Sequence, residues 1–332
     1  MNTTFKQFSA GTLPLREKIA TRPKKPRVIV LAGPTCVGKT KHSLLLARLM
    51  GGEIISADSM QVYRGLDIGT AKATALERAQ VPHHLIDIRD LIQNFNVADF
   101  YEEAMRVIHA VLAKGHVPIV VGGTGFYIHS LIYGPPQGPP SVPEVRQKLE
   151  DEMREKGSTI LYDRLKELDP DYAMQITHSD RHKIVRALEI ISLTSRKVSE
   201  FPKMQERQEQ IDFRCWFLYL PKEILYSYIE MRCDEMIAAG LIEEVRQMQD
   251  KGLRQNTSSA QAIGYRQCLE FLDSAQTPDD FDAFVTAFKQ ASRRYAKRQF
   301  TWFRKEPLFR WLNIENLSVD QAVALIIQDY ET

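Results

Sequence analysis

The stretch Gly33–Thr40, GPTCVGKT, constrains this chain more than any other. It matches G-x-x-x-x-G-K-[ST] and stands between an apolar, β-branched run, Arg27–Ala32 (RVIVLA), and a helical pattern from Thr40 to Met50. A buried strand, a Gly-rich turn and a helix in that order aim backbone N–H groups and a helix dipole at an anion. Gly33, Pro34, Thr35, Cys36, Val37 and Gly38 are therefore expected to wrap a diphosphate or triphosphate. Lys39 is expected to reach its terminal phosphate and the Thr40 hydroxyl to coordinate Mg²⁺. The motif does not say which molecule carries the phosphates. An accidental match in a Gly-rich turn is the alternative, and the flanking strand and helix speak against it.

Further strands are expected at Glu53–Ser56, His84–Ile88 and Val117–Val121, with a helix over Val97–Lys114 that keeps Phe100, Ala104, Val107, Ile108 and Val111 on one face. Strands alternating with helices predict an α/β fold, a parallel sheet covered on both faces. The Pro- and Gly-dense stretch Gly134–Pro143 marks a boundary. Beyond it the chain reads as helical from Glu144 to about Arg196, and a strand at Phe213–Leu220 returns to the sheet. Residues 139–212 thus read as a helical insertion between a first core part, 27–138, and a second, 213–332. Helices are expected at Lys222–Lys251 and Asp279–Lys305, then a strand near Phe309–Ile314 and a helix from Ser318. Residues 1–26 read as a loose basic tail.

No apolar run approaches the ~20 residues a bilayer span needs. Cys36, Cys215, Cys233 and Cys268 form no CxxC pair and no zinc-ligand spacing with histidine, so they read as reduced thiols of a cytoplasmic protein. With 44 Lys+Arg against 42 Asp+Glu, net charge says nothing about an acidic partner. The placement of the bases does. From Phe281 to Lys305 there are seven, Lys289, Arg293, Arg294, Lys297, Arg298, Arg304 and Lys305, against Asp282 alone. Arg293/Lys297 and Arg294/Arg298 are spaced i, i+4 and so form a stripe on a helix. Phe300, Trp302 and Phe303 are interleaved at its end. A solvated face is the plain reading; the charge excess favours a phosphate backbone.

Two more constellations sit where the carboxyl ends of parallel strands place ligands. One is Asp58-Ser59-Met60-Gln61-Val62-Tyr63, followed by Asp67–Lys72 (DIGTAK). From the residues alone Asp58 is a base, a metal ligand or a helix N-cap. The other is Gly122–Tyr127 (GGTGFY), an anion-facing turn or a simple strand-to-helix turn. No clear Asp closes the strand Val117–Val121, as energy-coupling P-loop ATPases require.

Taken in order, GPTxxGKT, DSxQVY, GTAK, PHH with LIDI, GGTGxY, AIGYRQ and KRQxTWFR resemble the bacterial tRNA dimethylallyltransferase family, over about Val28 to Arg304. The resemblance implies a P-loop NTPase-like core whose helical insertion grips the anticodon arm of tRNA, with dimethylallyl diphosphate in the P-loop. It implies that Asp58 takes the proton from the exocyclic amine of the adenine 3′ of the anticodon. Thr124 and Arg232, the latter in an R-x-x-x-M helix with Met236, would line the reaction channel, and Arg146 matches an activity-linked position. Contacts to tRNA would fall on Asp58, Ser59, Met60 and Gln61, on His182, Lys183 and Arg186, on Gln261, Gly264, Tyr265 and Arg266, and on Lys297, Arg298, Gln299, Thr301, Trp302 and Arg304. Tyr265 and Phe303 are candidate stacking partners for an extruded base. Ser179 and Lys183 depart from the family pattern, which has Pro and Arg there. No zinc finger follows Arg304. A monomer is expected.

Three other readings use the same loop. An adenylate dimethylallyltransferase would need neither the insertion nor the basic helix. A small-molecule kinase would use Asp58 on a hydroxyl. An RNA-binding module with a vestigial loop would not need the Lys39-Thr40 pair.

Overall fold

The computed structural model describes residues 25–201 and 210–332. Residues 1–24 of the expected tail and 202–209 of the 139–212 segment lie outside them. Six strands form one all-parallel sheet: β1 (Arg27–Ala32), β2 (Gly52–Ala57), β3 (His83–His84), β4 (Val117–Gly122), β5 (Asp212–Tyr219) and β6 (Arg310–Asn313). Their order is β3-β2-β4-β1-β5-β6, with Ile29 opposite Ile119 and Leu31 opposite Trp216. Every residue of β2 is buried, as is nearly all of β1, because helices cover both sheet faces.

The helices follow in chain order. The first four are α1 (Lys39–Met50), α2 (Ala75–Gln80), α3 (Val97–Ala113) and α4 (Gly125–Tyr133). Then come α5 (Pro143–Lys156), α6 (Ser158–Leu168), α7 (Pro170–Ala173) and α8 (Arg181–Thr194). The last are α9 (Lys222–Ala238), α10 (Leu241–Gln249), α11 (Thr257–Ala260), α12 (Tyr265–Leu272), α13 (Pro278–Phe303) and α14 (Val319–Glu331). Local chemistry starts several of them. Asn96 and Thr277 close capping boxes with Asp99 and Asp280, and Pro143 and Pro278 occupy first-turn positions that lose no hydrogen bond.

Helices α5–α8 bury a hydrophobic cluster of their own, with Leu149, Met153, Leu161, Leu165, Ile184 and Leu188 at its centre, apart from the main core. Buried carboxylates fasten both ends of this unit. Glu189 accepts the Ser141 hydroxyl at 2.5 Å and the Val142 N–H at 2.9 Å, pinning the Pro-rich entry. Asp169 accepts the N–H and hydroxyl of Ser199 at 2.9 and 2.7 Å, pinning the exit.

Two expectations need correction. The strand expected over His84–Ile88 ends at His84, because Leu85 and Asp87 take left-handed φ values of 61° and 57°. Asp87 is turned there to receive Lys72 Nζ at 2.7 Å and an Arg78 guanidinium N–H at 2.6 Å. The single helix expected over Lys222–Lys251 is two, α9 and α10, broken at Ala239–Gly240. The short helices α2 and α11, of six and four residues, carry too little periodicity to be separated from loops in the sequence, and α12 is missed although its apolar residues share one face.

Candidate active site

A cavity of about 430 Å³ opens at the carboxyl ends of β1, β2 and β4. Its floor is the turn between β1 and α1, where Gly38 adopts φ +89°, a conformation an L side chain rarely tolerates. Helix α1 starts at Lys39, so its first-turn N–H groups have no partner within the helix and face the cavity mouth with the positive end of the dipole. Thr35, Cys36, Gly38, Lys39 and Thr40 line this floor. The Lys39 ammonium donates to the carbonyls of Gly33 (2.9 Å) and Pro34 (2.8 Å). Burial, with Arg232 adding to it against the pull of Cys36 and Asp58, brings its pKa down to about 8.

Asp58 stands on the wall beside the floor, just past β2. Its Oδ1 accepts the N–H groups of Met60 (2.8 Å) and Gln61 (3.3 Å), so it does cap a turn. No hydrogen bond among the described residues uses Oδ2. Burial raises its pKa against those two N–H groups and the ammonium groups of Lys39 and Lys72. The turn cap thus occupies one oxygen of the carboxylate and leaves the other outside it.

Arg232 and Met236 reach the same cavity from α9, and Arg232 makes no ion pair among the described residues. Thr124 sits just behind the wall, its hydroxyl oxygen accepting the Ser59 N–H at 3.3 Å and its side chain bonded to Tyr295. Gln61 is held between the Ser56 hydroxyl (2.9 Å) and the Thr70 carbonyl (3.2 Å), its amide fixed at the wall. Gln261 and Arg298 complete the rim.

Among the described residues no group of three or more His, Cys, Asp or Glu converges as a metal site. Thr40, exposed at the cavity mouth, offers one hydroxyl. That fits Mg²⁺, which keeps several waters and is bound largely by substrate phosphates rather than by an all-protein cage.

Other expected site residues stand elsewhere. Arg146 lies on α5 paired with Glu150 at 2.9 Å and does not line the cavity. On α8, His182 and Lys183 are exposed, but Arg186 is held by Glu189 at 2.7 Å and by the Pro139 carbonyl, so it belongs to the entry latch. Tyr265 and Phe303 are fully buried. The first donates to Glu244 at 2.6 Å and only borders the cavity with its buried ring, and the second packs on Phe217 and Phe309, so neither is presented on the exposed RNA-facing surface. Gln299 is buried between two loops rather than facing solvent. Gly264 is buried at the start of α12, whereas Arg266, Thr301, Trp302 and Arg304 are exposed.

The basic stripe is divided. Lys289 pairs with Asp234 at 2.7 Å and Arg293 with Glu230, joining α13 to α9, while Arg294, Lys297 and Arg298 are exposed and carry no ion pair among the described residues. Sequence reasoning missed Tyr295. It shares a face of α13 with Ser292 and Gln299 at i, i+3 and i+7, and attention to charge passed over that neutral face.

A family model described as IPP transferase matches residues 61–306. A tRNA dimethylallyltransferase of Protochlamydia amoebophila is 58% identical over 308 residues, 92% of this chain and 90% of the relative. One of Chlamydia pneumoniae is 44% identical over 316 residues, 95% and 92% of the two chains. Among solved structures, the full-length tRNA isopentenylpyrophosphate transferase of Bacillus halodurans superposes with a TM-score of 0.68 at 37% identity, covering 92% of this chain and 97% of that one. A eukaryotic dimethylallyltransferase acting on tRNA gives 0.75 at 29% identity, covering 92% and 79%.

Proposed function

This chain belongs to the IPP transferase family, and from that premise we propose that it moves the dimethylallyl group of dimethylallyl diphosphate onto the exocyclic N6 amine of the adenine 3′ of the anticodon, in tRNAs reading codons that begin with U. Transfer to tRNA is what its relatives are named for. The observation that carries the chemistry is one cavity joining the Gly33–Thr40 loop, the Asp58 carboxylate and the Arg232 guanidinium, with Asp58 Oδ2 unshared and Arg232 unpaired among the described residues.

An allyl diphosphate reacts once charge building on its leaving group is neutralised. The α1 N-terminus, Lys39 and Arg232 supply that neutralisation in a fixed geometry. Thr40 would hold a divalent cation, which we take to be Mg²⁺ and which would supply further positive charge to the leaving group. The adenine amine is a poor nucleophile because its lone pair is delocalised. Asp58 Oδ2 accepts its proton as the new C–N bond forms, while Oδ1 keeps the carboxylate in place. Thr124 holds the Ser59 N–H, and so the turn that carries Asp58. Reaching the cavity requires the base to leave the anticodon stack.

Arg298 at the cavity rim, with the exposed side chains Arg294, Lys297, Trp302 and Arg304 further along the same chain segment, offers the RNA backbone a positive face. The α5–α8 unit presents His182 and Lys183 to the anticodon arm. The enzyme is proposed to act as a monomer in the cytoplasm. Incubation of unmodified tRNA with dimethylallyl diphosphate, digestion and mass analysis should show one added C₅H₈ per tRNA on the adenosine 3′ of the anticodon. An unchanged digest contradicts the reading.

A further inference from the structure

Gln299 lies inside the basic helix but is only 4% exposed. Its Oε1 accepts the Thr35 N–H at 2.9 Å, and its Nε2 donates to the Gly123 carbonyl at 3.0 Å. One planar amide thus bridges the front limb of the phosphate loop and the turn after β4. The approach is close: a Cβ on Gly123 would lie 2.1 Å from Gln299 Nε2, so residue 123 has no room for a side chain. Arg298, the preceding residue, lines the cavity, and Tyr295, one turn earlier, touches Thr124.

We infer that Gln299 is a positioning residue for the donor diphosphate, tying the RNA-facing helix α13 to the phosphate loop and fixing the loop's distance from the Gly122–Gly123 turn. The bridge needs an acceptor and a donor on one side chain of this length, which only glutamine or a protonated glutamate provides. Thr35 is the residue bridged, so the N–H groups at the start of α1 stay available to the anion. Because the bridge starts on α13, whatever moves that helix moves the loop. The inference rests on the reading that the diphosphate seats on Gly33–Thr40.

Gln299→Glu makes the bridge pH-dependent. Protonated, the acid keeps both hydrogen bonds; ionised, it repels the Gly123 carbonyl and faces the phosphates with a buried negative charge. Two readouts are taken: binding of inorganic diphosphate with Mg²⁺ by calorimetry, and the donor KM and kcat for transfer to an anticodon stem-loop. Relative to the unmodified protein at the same pH, diphosphate affinity should be near normal at about pH 5.5 and weakened ~10-fold or more at about pH 8.5, since burial lifts a carboxyl pKa into this range. Gln299→Met, which fills the space without hydrogen bonds, should raise the diphosphate Kd and donor KM roughly 5–20-fold at all pH values and leave kcat at saturating donor within about threefold. A Glu variant whose affinity ratio is flat with pH, or a Met variant with kcat lowered and KM unchanged, overturns the inference. Gln299-dependent diphosphate binding in a protein that transfers nothing to RNA would uphold the positioning role and count against the transferase reading.

Discussion

The Tyr265 hydroxyl donates to Glu244 Oε1 at 2.6 Å, and the same carboxylate accepts the N–H groups of Asp67, Ile68 and Gly69. One acid on α10 therefore closes the 66–72 loop, which forms part of the cavity wall, onto α12. Burial and the neighbouring Glu244 push the Tyr265 pKa well above its ordinary value, so the hydroxyl stays a donor at all working pH values.

Tyr265→Phe should cost about 1–2 kcal/mol of stability, and Glu244→Ala, which orphans three N–H groups, about 3 or more. Chemical denaturation of both variants checks this. Equal stability in Tyr265→Phe, with a selective loss of RNA affinity only when the ring itself is removed in Tyr265→Leu, would return Tyr265 to base stacking.

Asp58→Ala is expected to lower turnover about 10²–10⁴-fold while RNA binding holds within a few-fold. Its pKa is raised, so the acidic limb of kcat/KM should lie above the ordinary aspartate range. Charging a buried acid costs the folded state, and that cost is present at pH above the raised pKa. Asp58→Asn, which keeps an oxygen for Met60 and Gln61, should therefore be inactive yet at least as stable near neutral pH. An Asn variant that turns over normally leaves Asp58 as a turn cap only.

Lys39 titrates near pH 8 in the protein without donor. A bound diphosphate favours its charged form, so its pKa rises on binding. Affinity should then be full below about pH 8 and decline above it, with protons taken up on binding at that pH. Calorimetry in buffers of different ionisation enthalpy reads the uptake directly. Proton release at that pH would contradict the assignment.

The three bases of α13 without an ion pair among the described residues separate from the paired Lys289 and Arg293. Arg294→Ala, Lys297→Ala and Arg298→Ala should each reduce the salt dependence of tRNA binding by about one unit of slope. Arg293→Ala, whose guanidinium is held by Glu230, should leave the slope unchanged and loosen α9 from α13 instead. Equal slopes in all four variants would mean the face is merely solvated.

Much of this was legible before the structure. The phosphate loop, the α/β sheet and the amphipathic α3 follow from local patterns that leave few alternatives, and Asp58, Lys39, Thr40 and Arg232 do come together. The misreadings share a cause. Tyr265, Phe303, Gln299 and Arg186 sit in RNA-associated motifs, and a motif does not reveal whether a side chain faces solvent or the core. Tyr265 and Gln299 bond to partners 21 and 264 residues away, and Arg186, besides the local Glu189, to a carbonyl 47 residues away, separations no local pattern reports. Asp87 failed as a strand residue for a similar reason: its left-handed turn is fixed by Lys72 and Arg78, which only tertiary packing brings to it.

The central claim is that the phosphate loop presents an allylic carbon to an adenine in RNA rather than a phosphoryl group to a hydroxyl. Dimethylallyl diphosphate labelled in its carbon skeleton, offered with Mg²⁺ and no ATP, tests it against two acceptors, an anticodon stem-loop and AMP. The account predicts label in the stem-loop with release of diphosphate, a much lower kcat/KM on AMP because a lone nucleotide cannot reach α13 or the α5–α8 unit, and no phosphate release from ATP. Comparable transfer to AMP, or phosphate release from ATP that depends on a small hydroxylated acceptor, would contradict it.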